Sequence, residues 1–145
     1  MKLKICRLNE KARLPERATD GSAGMDLFAL LDQPLCIKAG QRALVPTGIA
    51  ISLPSPNYVA LIYARSGLAI KKGLTLSNCV GVIDSDYRGE IKVGLINLSD
   101  EDCVINPYDR IAQMVVAPIE LPEIQEVAEL DETIRGAGGF GSTGV

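Results

Sequence analysis

Short apolar runs rich in β-branched residues recur about every ten residues along the chain, separated by Gly, Pro, Asn and Asp. Short strands at this spacing are typical of a β-sandwich or β-barrel. Strand and helix patterns do not alternate, which disfavours a parallel α/β fold. The pattern therefore predicts an all-β protein with strands near residues 3–8, 26–30, 35–38, 43–46, 48–53, 58–65, 74–77, 80–83, 90–97, 103–105 and 110–117.

One short helix is expected between two of these strands. Ser66 is a candidate N-cap, residues 67–72 would form about one and a half turns, and Gly73 would end the helix. Segment 123–130 has apolar residues at helical spacing, but it is short and strongly acidic. We therefore expect that segment to be irregular or extended.

The last eleven residues, 135–145, contain five glycines and one aromatic residue, Phe140. Such a segment cannot bury enough apolar surface to fix itself, so we expect it to be mobile unless something binds it. Residues 136–141 match G-x-G-x-x-G and nearly match a P-loop, but both motifs need a following helix, for which too few residues remain. Glycines still let backbone N–H groups approach an anion, and Arg135, Ser142 and Thr143 add donors. A tail that only aids solubility is the alternative, which Phe140 disfavours.

Composition narrows the class of protein. A chain of 145 residues that is 47% hydrophobic can fold as one domain with its own core. Its net charge of −3 argues against binding to nucleic acid, although a small phosphorylated ligand needs only a few cations. The N-terminus does not resemble a signal peptide, and the longest apolar run, residues 59–64, is far too short to span a membrane. We expect a soluble, cytoplasmic protein.

Histidine is absent, which excludes Ser-His and Cys-His catalysis and His-metal sites. A carboxylate or a metal-bound water must then serve as any general base. The four cysteines form no Cys-x-x-Cys pair, so a zinc ribbon or a thioredoxin-like motif is not indicated. We expect Cys6, Cys36, Cys79 and Cys103 to be reduced and to act as small core residues.

Segment 81–90 lies between two predicted strands and is interpreted as a hairpin tip. It is either a simple turn, in which Asp84 and Asp86 bond their own backbone, or a binding site. In the second case a carboxylate at a strand end beside the Tyr87 ring would hold a ring-shaped ligand and a water.

Three other segments carry weaker signals. Arg65, Ser66 and Gly67 stand at a strand-to-helix junction, which is either an anion site or a plain helix cap. Asp26 follows a glycine turn, and Gln113 is one amide on a predicted strand. Neither of these two is informative alone.

Taken in order, five segments resemble the motifs of the trimeric dUTP pyrophosphatase (dUTPase) family. They are residues 23–27, 65–69, 78–90, 110–113 and 135–144, and the resemblance covers nearly the whole chain. The third and fifth are highly specific. Two positions depart from the family pattern, since Ala64 stands where Pro is common and Lys72 where His is common. Neither position carries the chemistry.

The resemblance implies a distorted β jelly roll with one short helix, assembled as a homotrimer with active sites at the subunit interfaces. Residues 1–134 would form the β domain, and the glycine-rich arm 135–145 would close over a neighbouring subunit's site. The implied reaction is hydrolysis of dUTP to dUMP and pyrophosphate, by in-line attack of water at the α-phosphorus with Mg²⁺ on the triphosphate. It would limit uracil incorporation into DNA and supply dUMP for dTMP synthesis.

The third motif is implied to hold the reacting nucleoside. Asp84 would be the general base that orients and deprotonates the attacking water. Tyr87 would pack on the deoxyribose and leave no space for a 2′-hydroxyl. The adjoining backbone would read the uracil edge and exclude a 5-methyl group, through Asn78, Gly81, Val82 and Ile83.

The other motifs are implied to hold the phosphates and the metal. Arg65 would add positive charge, Lys92 would face the ligand, and Asp26 would bind Mg²⁺ through waters. Phe140 would stack over the uracil. The α- and β-phosphates would be held by Ser66, Gly67 and Gln113, and substrate would also be bound by Arg135, Gly141, Ser142 and Thr143.

Three alternatives stay open from the sequence. A dCTP deaminase or bifunctional deaminase shares the fold superfamily and would release ammonia. A non-catalytic module would bind dUTP without turnover. A structural jelly roll would leave the third and fifth motifs unexplained.

Overall fold

The computed structural model of the chain describes residues 2–139, which contain eleven strands and one helix. Mainly-β architecture with one short helix is therefore confirmed. The strands are β1 (Lys4–Arg7), β2 (Met25–Phe28), β3 (Leu35–Ile37), β4 (Arg42–Pro46), β5 (Ile49–Ser52), β6 (Tyr58–Tyr63), β7 (Leu74–Leu76), β8 (Gly81–Ile83), β9 (Lys92–Asn97), β10 (Cys103–Ile105) and β11 (Arg110–Pro118), and the helix is α1 (Ser66–Lys72).

The strands form four antiparallel sheets within residues 2–139. The largest has the order β2-β11-β6-β8, and a second has the order β4-β9-β7. Two further pairs are β1-β5 and β10-β3. One hydrophobic core, drawn from all four sheets, lies beneath them, and β11 contributes Ile111, Ala112 and Met114 to it.

A buried amide fixes one end of β9. Asn97 is fully buried, and its Nδ2 donates to the carbonyls of Ile37 (2.9 Å) and Glu101 (2.7 Å). Its Oδ1 accepts from the Ser99 N–H (3.0 Å) and hydroxyl (2.7 Å). Since every polar atom of the amide has a partner, its burial is not penalised, and it ties β9 to β3.

The helix begins one residue earlier than expected. Arg65 occupies the N-cap position with an extended backbone, and no side-chain cap bond forms there within the described residues. The expectation that Ser66 caps the helix is therefore wrong, because Ser66 is itself the first helical residue. Gly73 ends the helix as expected, with φ of 63° and its N–H bonded to the Ala69 carbonyl at 3.1 Å.

Segment 81–90 is not a hairpin tip. β8 pairs with β6, whereas β9 pairs with β4 and β7, so the segment between them crosses from one sheet to another. The buried Ile91 anchors the far end of the crossing, since its N–H donates to the Ile49 carbonyl at 2.9 Å. The sequence pattern located the strands but could not show which strand each one pairs with.

The cysteine prediction is right for one residue and wrong for three. All four cysteines are free, but only Cys103 is buried, while Cys6, Cys36 and Cys79 are exposed. Cys36 and Cys103 lie on β3 and β10, where Cys36 pairs with Val104 and Cys103 with Ile37. The pleat therefore sends the two thiols to opposite faces of that pair.

Residues 119–139 contain neither helix nor strand, as expected for 123–130. The apolar side chains in this segment are largely exposed, Ile124 fully and Leu130 by 84%. The helix described in residues 2–139 is too short and too polar to cross a membrane.

Replacing Gly48 by Ala is expected to destabilise the fold by about 2–4 kcal/mol, because an overpacked side chain meets a strained backbone. Gly48 has φ of +70°, and an added Cβ would lie 2.5 Å from Leu30 Cδ2 and 2.8 Å from Ala12 Cβ. Gly21→Ala is the control, since nothing lies within 4 Å of its added Cβ. Urea unfolding at equal protein concentration measures both. Equal midpoints for the two variants would contradict this packing.

Candidate active site

The first candidate site is a cleft around Asp84, which we call the Asp84 cleft. Asp84 follows the last residue of β8, and the cleft is lined by Leu44, Val82, Ile83, Asp84, Tyr87, Glu90 and Lys92. Five of these seven residues were expected to bind substrate or act in catalysis. Asn78 and Gly81 are not among the lining residues and lie together at the other end of β8, where an added Gly81 Cβ would be 3.7 Å from Asn78 Nδ2.

The turn that follows Asp84 is closed by groups other than its carboxylate. The Tyr87 N–H donates to the Asp84 carbonyl at 3.2 Å. Arg88 Nη1 donates to the carbonyls of Ser85 (2.7 Å) and Tyr87 (2.9 Å). A turn held by self-bonded aspartates is therefore not what the described residues form, and Asp84 lines both this cleft and a neighbouring groove.

Glu90 and Lys92 form the floor of the Asp84 cleft. Glu90 Oε1 accepts the Gly48 N–H at 2.8 Å, and Glu90 Oε2 lies 3.6 Å from Lys92 Nζ. The Glu90 side chain is only 23% exposed, so the backbone bond holds it in place while Lys92 offsets its charge. Sequence reasoning missed Glu90 and Leu44. Glu90 lies inside the third motif, whereas no local signal marked Leu44, which reaches the cleft from β4.

The second candidate site is a cleft around Arg65, which we call the arginine cleft. It lies where β2, β11 and β6 are side by side. There Gln113 on β11 pairs with Asp26 on β2 and with Tyr63 on β6. Its lining residues are Ala18, Ser22, Ala23, Gly24, Asp26, Arg65, Ser66, Gly67 and Gln113. The structure thus brings together all five residues expected to bind phosphate or metal from the first, second and fourth motifs.

An ion-pair cluster organises the arginine cleft. The Asp26 side chain is 13% exposed. Its Oδ1 accepts a hydrogen bond from Arg65 Nε at 2.7 Å, and its Oδ2 lies 3.4 Å from Arg110 Nη1. Arg65 Nη1 also donates to the Arg110 carbonyl at 3.4 Å. Two guanidinium groups share one carboxylate, so the cluster keeps a net positive charge that favours an anion. Arg110, not assigned to the site from sequence, belongs to this cluster.

Three contacts shape the polar wall of the arginine cleft. Gln113 Nε2 donates to the Ala64 carbonyl at 2.9 Å, which leaves its second N–H for a ligand. The Gln113 side chain packs directly on Gly24, where an added Cβ would lie 3.2 Å from Cδ and closer still to Oε1. On the loop before β2, Arg17 donates to the carbonyls of Ser22 and Ala23, the second at 2.8 Å. Arg17 is a positioning residue that sequence reasoning missed.

The donor set around Asp26 fits a metal bound through waters. Within residues 2–139 no three His, Cys, Asp or Glu side chains cluster in a way that could cage an ion. Each Asp26 oxygen accepts one guanidinium and retains a lone pair that a water can use. Mg²⁺, which keeps several waters and prefers phosphate oxygens, suits such a site.

The two clefts lie well apart on one chain. Ile83 on β8 pairs with Ala60 on β6, whereas Tyr63 on β6 is level with Gln113 and Asp26. Three residues along β6 correspond to about 10 Å, and three strand spacings from β8 to β2 correspond to about 14 Å. A single phosphate cannot contact both clefts of the same chain.

The expected arm residues are only partly described. Arg135 lies in a local turn, where its Nε donates to the Gly138 carbonyl at 2.9 Å, and it lines neither cleft. The other four expected arm residues lie outside the described residues, namely Phe140, Gly141, Ser142 and Thr143.

Comparison with known proteins gives one consistent result. A family model for dUTPase matches residues 10–144. The chain is 54% identical over 145 residues to a deoxyuridine 5′-triphosphate nucleotidohydrolase from Desulfitobacterium hafniense, covering 100% of this chain and 96% of the relative. It is 57% identical over 144 residues to the protein of that name from Rickettsia felis, covering 99% and 97% of the two chains.

Solved structures agree. A Staphylococcus bacteriophage 80alpha dUTPase mutant with dUpNHpp superposes with a TM-score of 0.87 at 30% identity, covering 99% of each chain. A mutant dUTPase from phage phi11 of S. aureus, which coordinates a structural Mg(II) ion, has a TM-score of 0.81 at 27% identity and covers 91% of this chain and 100% of that one.

Gly24→Ala is expected to weaken binding of inorganic pyrophosphate by about tenfold, because the added Cβ displaces the Gln113 amide from the arginine cleft. Isothermal titration calorimetry with Mg²⁺ present measures the affinity. Gly21→Ala, on the same loop with open space around it, should bind as the parent protein does. Unchanged affinity in Gly24→Ala would remove Gln113 from the anion site.

Proposed function

The chain belongs to the dUTPase family and hydrolyses dUTP to dUMP and pyrophosphate, and we propose that its two clefts are the two halves of that active site. The Asp84 cleft receives the nucleoside and the attacking water. The arginine cleft receives the phosphates. One observation carries this assignment. Arg65 and Arg110 form a net positive cluster on Asp26 in one cleft, while Asp84 lines the other.

Asp84 is the proposed general base. It accepts a proton from a water aligned for in-line attack at the α-phosphorus, and pyrophosphate leaves on the opposite side. A chain without histidine has a carboxylate as the available base. Positioned bases contribute about 10²–10⁴-fold, so most of the acceleration comes from alignment and charge neutralisation in the arginine cleft.

The nucleoside is proposed to sit between β8 and Tyr87. The half-exposed Tyr87 ring packs on the deoxyribose and blocks a 2′-hydroxyl. The backbone of Asn78, Gly81, Val82 and Ile83 pairs with the uracil edge. Rejection by a rigid wall is needed, since an apolar pocket alone rejects an added hydroxyl by only about 10²-fold.

The phosphates are proposed to lie against Ser66, Gly67 and Gln113, with charge from Arg65 and with Lys92 facing the ligand from the other cleft. The Ser66 hydroxyl is not used as a helix cap, which supports a role in binding. Mg²⁺, held by the triphosphate, is proposed to reach Asp26 through its waters. When bound, the metal neutralises phosphate charge.

A homotrimer with a jelly-roll subunit is proposed as the working form. The separation of the two clefts supports it, since one phosphate can contact both only if they come from different chains. The largely exposed apolar side chains of residues 119–134 support burial against a neighbour. Each active site would then combine the Asp84 cleft of one subunit with the arginine cleft of another. A cytoplasmic location is likewise proposed.

The arm is proposed to complete the site in trans. Residues 1–134 form the β domain, and residues 135–145 close over a neighbouring subunit. Phe140 stacks on the uracil, while Arg135, Gly141, Ser142 and Thr143 bind the phosphate end. Closure excludes water other than the attacking one.

With Mg²⁺, the purified protein is expected to release pyrophosphate from dUTP and not from dTTP, dCTP or UTP. Asp84→Asn should bind dUTP with unchanged affinity and turn over about 10³-fold more slowly, because the base is lost. Asp86→Asn is the matched control, since Asp86 shares a neighbouring groove with Asp84 but does not line the Asp84 cleft. Binding of dUTP with no release by the parent protein would indicate a binding module, and ammonia release from dCTP would indicate a deaminase.

Deleting residues 135–145 is expected to abolish turnover while the assembly stays intact. Mixing this truncation with Asp84→Asn protein, followed by dissociation and reassembly, should restore part of the activity. Mixed trimers contain sites with both an intact Asp84 and an arm from another chain. Size-exclusion chromatography confirms reassembly, and pyrophosphate release measures activity. A fully active truncation, or reassembly without recovery, would contradict an arm that acts in trans.

A further inference from the structure

The Tyr87 ring lies directly over Gly89. A Cβ added at Gly89 would be 2.6 Å from Tyr87 Cζ and 3.0 Å from Cε2, and it would overlap the hydroxyl oxygen as well. Ordinary carbon contacts are about 3.5–4.0 Å, so any side chain at this position must lift the ring by roughly 1 Å.

The backbone at Gly89 does not itself require glycine. Its φ lies outside the left-handed region, unlike that of Gly48 or Gly73. The three atoms nearest to its missing Cβ all belong to Tyr87. Glycine is therefore needed here for the position of the ring and not for the course of the chain.

The ring is also held at its far end. The Tyr87 hydroxyl donates to the Glu90 carbonyl at 3.0 Å. Glu90 is fixed in turn, because its carboxylate accepts the Gly48 N–H. The next residue is fixed as well, since the carbonyl of Ile91 accepts the hydroxyl of the buried Thr47 at 2.5 Å. A half-exposed aromatic ring is thus braced against buried backbone.

We propose that Gly89 is a specificity-determining residue, which sets how well the enzyme rejects ribonucleotides by leaving room for the Tyr87 ring whose hydroxyl bonds to the Glu90 carbonyl. The inference rests on the proposed role of Tyr87 as the wall that excludes a 2′-hydroxyl. A ring lifted from Gly89 loses its bond to Glu90 and can rotate. The Tyr87 ring can then move aside for a 2′-hydroxyl, and it packs less well on deoxyribose.

The test compares kcat/KM for dUTP and for UTP in four proteins: the parent, Gly89→Ala, Tyr87→Ala and the double variant. Gly89→Ala is expected to lower the preference for dUTP by about tenfold, mainly through KM for dUTP, because the wall softens while Asp84 is untouched. Tyr87→Ala should lower the preference at least as much. In the Tyr87→Ala background, Gly89→Ala should change nothing, since the ring it displaces is gone.

Four results separate the possibilities. An unchanged preference in Gly89→Ala, with a lowered one in Tyr87→Ala, overturns the inference and leaves the proposed function standing. An unchanged preference in Tyr87→Ala overturns the role of Tyr87 and the inference with it. Equal losses from Gly89→Ala in both backgrounds show a cause other than the ring and overturn the inference. If Gly89→Ala alone does not fold, recovery of folding in the double variant supports the inference, and failure of both overturns it.

Discussion

The ion pair between Asp26 and Arg65 is the interaction on which the arginine cleft depends. It joins β2 to the junction of β6 and α1, and Arg110 adds the start of β11. The pair is mostly shielded from water, where ion pairs stabilise only when their remaining polar atoms are also satisfied. Here the second guanidinium and the Arg110 carbonyl supply those partners. The result is a rigid cationic surface built before any anion arrives.

The register of the largest sheet determines where the rest of the chemistry can be. β11 places Gln113 level with Asp26 on one side and Tyr63 on the other, so residues distant in sequence meet at one end of the sheet. β8 pairs with residues 60–62 of β6 and runs away from that end, so Asp84 follows it on the far side. The same hydrogen bonds that stabilise the sheet therefore divide the candidate site residues between two clefts. The proposed trimer reunites them.

Local patterns predicted the eleven strands, the helix and its end at Gly73, because alternation, β-branching and a left-handed glycine act over a few residues.

Local patterns failed where the structure depends on residues that are distant in sequence. The local pattern predicts a hairpin tip after β8, because nothing in it shows that β9 pairs with β4 and β7. Cys36 and Cys79 were expected inside because an apolar neighbourhood in sequence does not fix which face is buried. Motif residues were found by resemblance. Leu44 was missed because it reaches the Asp84 cleft from another sheet. Arg17 was missed because it contacts the loop of the arginine cleft only by donating to backbone carbonyls.

The exposed apolar segment 119–134 has a consequence for how separate chains interact. Between residues 119 and 134 the apolar residues alternate with six acidic ones, and no lysine or arginine stands among them. Two such segments on separate molecules repel each other, so separate chains are protected from associating through these exposed apolar side chains. This protection acts through unshielded charge. It weakens as ionic strength rises and the screening length falls below about 8 Å, so concentrated salt favours aggregation of unassembled chains.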